Sequence, residues 1–316
     1  MNFKSINDLT IDIYEKLDKI PKDIDLIVGV PRSGMLVASI IALYLNLPLS
    51  DINSLANNRI YSLGDTKKNK NWIEKIDDAK KILIVEDSIY TGNSIQKTRT
   101  LFFNTSINEK LIYYAAYVTN TSKSFVDIYC KIVEPPRMFE WNFFHHQHIS
   151  KLCFDLDGVL CKDPSEDEND DGNKYIQFIS NVEPLIVPTF TIGYIITSRL
   201  EKYRKETENW LQKNGIKYNN LIMMQFKTKK ERVQSGSHGT FKGIEFKKIH
   251  SSFLFIESEP KQAREIANIS GKAVFCTGNH KFYPESTLIQ SRNTIKGKIG
   301  KYIPEKLKQK IKRSIS

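Results

Sequence analysis

Long apolar runs are missing from this chain. No stretch of roughly 18 consecutive apolar residues occurs, so no segment is expected to span a bilayer. The opening residues, MNFKSINDLTIDIYEKL, lack a basic region leading into an apolar core and do not read as a secretory leader. Cysteine is scarce: Cys130, Cys153, Cys161 and Cys276 form no CxxC pair. That argues against a zinc ribbon or a disulfide framework and for reduced thiols in the cytoplasm. The histidines of HHQHIS (residues 145–150) have no acid or cysteine at ligand spacing and read as a polar linker. Internal repeats and nucleic-acid-binding motifs are also lacking, so nucleic acid is not an expected partner.

What is present is ordinary globular material. With 40% hydrophobic and 26% charged residues over 316 positions, the chain can bury a core and is long enough for two domains. The net charge of +11 is unevenly placed. Residues 296–316 hold seven Lys, one Arg and one Glu, a net +7, so the basicity belongs mainly to the tail.

Residues 1–145 alternate in a β/α rhythm. Helices are expected at Asp8–Leu17, Met35–Leu45 and Ser94–Phe103, and strands at Leu26–Val30, Ile82–Val85 and Ile112–Val118. A polar stretch, Ser54–Trp72, reads as a long loop. The rhythm restarts past residue 147 with strands at Leu152–Phe154, Tyr194–Ile196, Leu221–Met224, Phe253–Ile256 and Ala273–Phe275. Helices are expected at Glu201–Asn214, stopped by Gly215, and at Gln262–Ile269. Short apolar runs separated by helices predict an α/β protein with two doubly wound, mainly parallel sheets. The expected division is 1–147, 148–290 and a tail at 291–316.

Two strands end in acids. In ILIVEDSIYTGNSI (Ile82–Ile95), Glu86 and Asp87 lead into Thr91, Gly92, Asn93 and Ser94. Such a loop can turn backbone N–H groups and a helix N-terminus toward an anion, while paired carboxylates can accept from vicinal hydroxyls. This resembles the PRPP-binding motif of type I phosphoribosyltransferases. The resemblance extends to LIVGVPRSG, where Arg32, Ser33 and Gly34 stand in the place of the pyrophosphate loop. It also implies a catalytic loop over 54–72 with Arg59, Tyr61, Lys67, Lys68 and Lys70, and PRPP as substrate. The acceptor-selecting segment, VEPPRMFEWNFFHH, matches no base-salvage pattern. There Trp141 offers a stacking face and Arg137 or Glu140 a charge for an acceptor; equally, Phe139, Trp141 and Phe143 suit domain packing.

In LCFDLDGVLC the acids alternate, so Asp155 and Asp157 would converge on one side of an extended chain. Carboxylates at a strand end can hold Mg²⁺ and attack phosphorus, with a neighbouring acid handling protons. This resembles the first motif of the haloacid dehalogenase superfamily. The resemblance implies a phosphatase in which Thr197 offers a hydroxyl and Lys242 (or Lys247) a cation. Asp155, Asp157 and Glu257 (or Glu259) would then be the Mg²⁺ ligands. Only 32 residues separate Cys161 from Tyr194, and Glu201 to Lys242 reads as one helix, one strand and a loop. No large cap is expected.

A phosphoribosyltransferase fused to a phosphatase makes sense where the phosphate serves recognition only. Such a pair resembles bifunctional enzymes that install ribofuranose in bacterial polysaccharides, with a lipid-linked glycan as acceptor. The other readings are nucleotide metabolism and a PRPP-sensing regulator. The tail carries Ile295, Ile299, Ile303, Leu307, Ile311 and Ile315 at four-residue spacing among lysines, broken at Pro304. It reads as a basic amphipathic anchor to an anionic membrane, placing the protein in the cytoplasm at the inner membrane face. Truncation after Asn293 should lower binding to anionic liposomes in a flotation assay, and added salt should shrink the difference.

Overall fold

The computed structural model describes residues 1–61, 72–73, 75–236 and 238–284. Lys67, Lys68, Lys70 and the tail beyond 284 lie outside the described residues. The chain divides into Met1–Phe143 and Phe144–Ser316.

The first unit contains strands β1 (Asn2–Lys4), β2 (Leu26–Gly29), β3 (Leu49–Asp51), β4 (Ile82–Ser88), β5 (Leu111–Val118), β6 (Ile128–Ile132) and β7 (Arg137–Phe139). Its helices are α1 (Ile6–Tyr14), α2 (Gly34–Leu45), α3 (Ile52–Ala56) and α4 (Asn93–Phe102). Among the described residues β3-β2-β4-β5-β6 form one sheet, parallel throughout, and β1 pairs with β7 in another. The all-apolar start of β4 follows from its position. Ile82 and Ile84 enter the core on one face, Leu83 and Val85 the core on the other, and all four are fully buried.

The expected strands are present, but β4 runs three residues further, so Glu86 and Asp87 lie inside its hydrogen-bonded ladder with β5. The sequence reading omits β3, β6 and the β1–β7 pair, which are short and partly polar. Helix α1 starts earlier than expected because Ser5 and Asp8 form a reciprocal capping box.

The second unit contains β8 (Leu152–Phe154), β9 (Ile192–Leu200), β10 (Tyr218–Met224), β11 (Leu254–Glu257), β12 (Ala273–Cys276) and β13 (Lys281–Tyr283). Its helices are α5 (Asn173–Asn181), α6 (Arg204–Lys213), α7 (Lys229–Ser235), α8 (His238–Lys248) and α9 (Pro260–Ser270). Strand order is β10-β9-β8-β11-β12-β13, parallel except for β13. Both sheets are therefore mainly parallel, as the α/β rhythm predicts. The reading of Glu201–Lys242 as one helix, one strand and a loop is corrected: α7 fills the loop, and α8 begins at His238. Thr228 caps α7 through Glu231 N–H, and Gly236 ends it in the left-handed region. Helix α5 is absent from the sequence reading, which assigns no element between Cys161 and Tyr194.

Gly34 opens α2 where it crosses β4. A Cβ there would lie 2.5 Å from the Val85 carbonyl oxygen and 3.2 Å from Glu86 Cα. Gly34→Ala should therefore destabilise the first unit by about 1–3 kcal/mol, measurable as a lower urea midpoint for the full chain.

Candidate functional site

In the first unit, parallel strands end together and bring their loops to one edge of the sheet. Leaving β2, Arg32 is exposed, Ser33 half-buried and Gly34 buried against β4; the Pro31–Arg32 peptide is cis. Leaving β4, the chain turns through Thr91 and Gly92 into α4. Gly92 has φ +80°, and a Cβ there would meet the Phe125 ring at 2.7 Å, so only glycine suits the turn. Thr91 and Asn93 are exposed at the start of α4. Ser94 sits one residue further and donates its hydroxyl to Glu86 Oε1 at 2.5 Å.

The two acids are buried, with 6% of Glu86 and 7% of Asp87 exposed. Burial pushes Glu86 up to about 7; the Ser94 bond opposes this and the Asp87 charge adds to it. Burial also raises Asp87, against the hydrogen bond it accepts from Trp141. That bond, Trp141 Nε1 to Asp87 Oδ2, measures 2.8 Å.

The three candidate acceptor residues differ in placement. Trp141 stacks on Phe139 at 4.9 Å and 7°, and Phe139 stacks on Tyr117 at 5.3 Å and 12°. The Arg137 guanidinium lies 5.6 Å from the Tyr90 ring and 5.4 Å from Phe139, and donates to the Val133 carbonyl. Glu140 is corrected to a structural position: its Oε2 accepts from Ile6 N–H at 2.7 Å, at the start of α1, where an anion also suits the helix dipole. Arg59 and Tyr61 lie just before the first break in the described residues. Tyr61 donates to Asp51 Oδ2 at 2.5 Å. Asp51 also takes Ser54 and two backbone N–H groups; burial raises its pKa, but these bonds outweigh it and hold it at about 2.

In the second unit Asp155, Asp157 and Lys242 line one cavity of about 210 Å³. Lys242 Nζ lies 2.5 Å from Asp155 Oδ2 and 2.8 Å from Glu257 Oε2, with 2% of its side chain exposed. Burial opposes its charge, and the two carboxylates outweigh that, raising its pKa. Burial drives Asp155 upward. Arg199, fully buried, grips Asp157 with Nε at 3.1 Å and Nη2 at 2.6 Å. Of the alternatives left open, Lys247 is exposed in the last turn of α8, and Glu259 caps α9.

Two expectations need correction. Thr197 is fully buried and accepts from Arg199 N–H; the hydroxyl residue lining the cavity is its neighbour Ser198. The proposed ligand set Asp155, Asp157 and Glu257 does not fit a divalent ion in this arrangement. Asp155 accepts from Leu156 N–H and Lys242; Glu257 accepts from Ser258 and Glu259 N–H and from Lys242; Asp157 is held by Arg199. The place between Asp155 and Glu257 is taken by an ammonium. Among the described residues no group of three acids, histidines or cysteines could hold a metal ion.

Sequence reasoning missed Ser198, Arg232 and His238 on this cavity. Arg232, 7% exposed, donates Nη1 to the Ser198 carbonyl at 3.0 Å. Its Nε and the Ser198 hydroxyl are buried without a partner. Burial lowers the pKa of His238, and Arg232 and Lys242 lower it further. The signal for α7, Thr228 followed by Glu231 and then Gly236, was in the sequence and would have placed Arg232 on a helix.

Glu86 yields a pH test. An acid ionising near 4.5 unfolded and about 7 folded stabilises the fold most below pH 4.5, and that contribution is lost as pH rises to about 7. Urea unfolding of the full chain should show the first unit losing roughly 3 kcal/mol over this window. The Glu86→Gln variant should have a flatter profile and be the more stable protein at pH 8.

The phosphoribosyl transferase domain family matches residues 2–148. Among solved structures, the chain is similar to the xanthine-guanine-hypoxanthine phosphoribosyltransferase of Helicobacter pylori at 20% identity. That alignment covers 45% of this chain and 93% of the other, with a TM-score of 0.35. It is also similar to the purine phosphoribosyltransferase of Pyrococcus horikoshii at 18% identity, covering 44% and 92%, with a TM-score of 0.32. A third is a hypoxanthine phosphoribosyltransferase of Trypanosoma cruzi in complex with IMP, at 12% identity, covering 42% and 78%, with a TM-score of 0.28. No curated protein matches. Residues 2–148 thus make up a phosphoribosyltransferase domain, and the chain carries a transferase fold joined to a second α/β unit.

Proposed function

We propose that the chain is a bifunctional enzyme that transfers 5-phosphoribosyl from PRPP to an acceptor hydroxyl and then removes the 5-phosphate. In the first step the bond from the anomeric carbon to pyrophosphate breaks, and one to the acceptor oxygen forms. The acceptor hydroxyl loses its proton, and pyrophosphate leaves. Arg32, Ser33 and Gly34 face the pyrophosphate of the magnesium–PRPP complex. Thr91, Gly92, Asn93 and Ser94 surround the 5-phosphate, and Glu86 and Asp87 accept from the ribose hydroxyls.

In the second step a haloacid dehalogenase-like unit hydrolyses the phosphomonoester. Asp155 attacks phosphorus as the bond to the leaving oxygen breaks, and Asp157, aligned by Arg199, gives that oxygen a proton. Asp157 then takes a proton from water, which attacks phosphorus, breaks its bond to Asp155 and releases phosphate. Lys242 offsets the charge around Asp155. The observation that carries this step is the cavity itself. Beside two acids and a lysine it has two buried polar atoms with no partner, Arg232 Nε and the Ser198 hydroxyl. Arg232 and Lys242 on its wall offer cations, and Ser198 stands beside them, where an anionic phosphate would enter.

The acceptor is proposed to be a lipid-linked glycan at the inner membrane face, reached through the basic tail. Support comes from the pairing of the two activities and from the isoleucine spacing of residues 295–315. The test is mass spectrometry of a lipid-linked glycan extract incubated with the full chain, PRPP and Mg²⁺. The native protein should add a pentose. Asp155→Asn should add a pentose that keeps its phosphate, and Asp87→Ala should add nothing. Loss of both steps in a folded Asp155→Asn protein would overturn the two-site division, and consumption of a free nucleobase would overturn the glycan.

A further inference from the structure

The indole of Trp141 is tied to two different parts of the first unit. Its N–H donates to Asp87 Oδ2 at 2.8 Å, and its ring packs nearly parallel to both Phe139, at 4.9 Å, and Tyr117, at 6.1 Å. Tyr117 anchors this cluster. Tyr117 is fully buried and donates its hydroxyl to Asp12 Oδ2 at 2.8 Å; Asp12 is held in turn by Lys4 at 2.6 Å and Lys131 at 2.7 Å. The indole nitrogen therefore has little freedom to leave Asp87. An indole is also a donor only, so it fixes a carboxylate without cancelling its charge. A lysine in its place would neutralise the acid, as Lys242 does in the second unit.

We infer that Trp141 is a positioning residue for ribosyl transfer, its N–H holding the Asp87 carboxylate in the orientation that receives the hydroxyls of the bound ribose. This rests on the reading of Glu86 and Asp87 as the ribose-binding pair. It also assigns the residue a role other than acceptor stacking, because one ring face is spent on Phe139 and the N–H on Asp87. The charged groups around Asp87 are Glu86 on its own strand and Arg137 from β7. Burial raises the pKa of Asp87 and the indole N–H opposes it. Removing that N–H should therefore narrow the pH range in which Asp87 is ionised.

The test uses the full chain with Mg²⁺ and PRPP in isothermal titration calorimetry. Trp141→Phe keeps a ring for the stack and deletes the donor. Its dissociation constant for PRPP should rise about tenfold or more, the range for a hydrogen bond to a charged group. The acid limb of PRPP binding should also move to higher pH. In an Asp87→Asn background the same change should add no further loss, since the two residues act as one unit. Equal losses in both backgrounds, or an unchanged affinity and pH limb in the single variant, would overturn the inference. If Asp87→Asn alone binds PRPP like the native chain, the ribose-pair reading itself is what fails.

A readout on the native protein guards against a folding defect. The chain has three tryptophans, and their indole N–H resonances can be assigned by single Trp→Phe changes. The Trp141 resonance should shift on saturation with PRPP. A resonance that stays in place would also overturn the inference.

Discussion

A carboxylate buried at the end of a parallel strand costs several kcal/mol unless donors meet it, and both units are arranged around that requirement. In the first unit the partners are neutral: the Ser94 hydroxyl meets Glu86 and the Trp141 indole meets Asp87. In the second they are cations: Lys242 sits between Asp155 and Glu257, and Arg199 grips Asp157. Neutral donors add no compensating charge, so burial raises the pKa of both acids, and each could trade one partner for a sugar hydroxyl. Cationic partners instead fix the charge around a group that must meet an incoming anion.

The same contrast explains the flanking structure. Gly34 brings α2 close to the β4 backbone beside the two acids, and Gly92 lets the turn into α4 lie against the Phe125 ring. The cavity of the second unit is lined instead by long side chains from several elements. Its orphan Arg232 and Ser198 atoms come from α7 and the end of β9, and Lys242 comes from α8.

What could be read from the sequence followed local grammar. Apolar runs buried on both faces marked β2, β4, β5, β8 and β11, and the acids at their ends marked both sites. Short elements were lost because nothing periodic distinguishes three residues, as with β1, β3 and β7. The side-chain partners were lost for a different reason. That Trp141 reaches Asp87, that Glu140 is spent on Ile6, and that Ser198 rather than Thr197 lines the cavity all depend on how distant segments meet. Residue identity marked Trp141 and Glu140 as noteworthy without saying what they touch. Thr228, Glu231 and Gly236 spell out the helix that carries Arg232, but the helix is short and mostly polar, so no apolar periodicity marks it.

The pairing of β1 with β7 bears on how the two ends of the first unit are joined. Strand β1 precedes every other strand of the unit, yet its only partner among the described residues is the unit's last strand, β7. Glu140, which secures the start of α1, lies later still in the chain. The five-stranded sheet is thus hydrogen-bonded without either member of the β1–β7 pair. That pair and the Glu140 bond to Ile6 form a clasp between the two ends of the unit, and Trp141, the donor to Asp87, is the residue that follows Glu140.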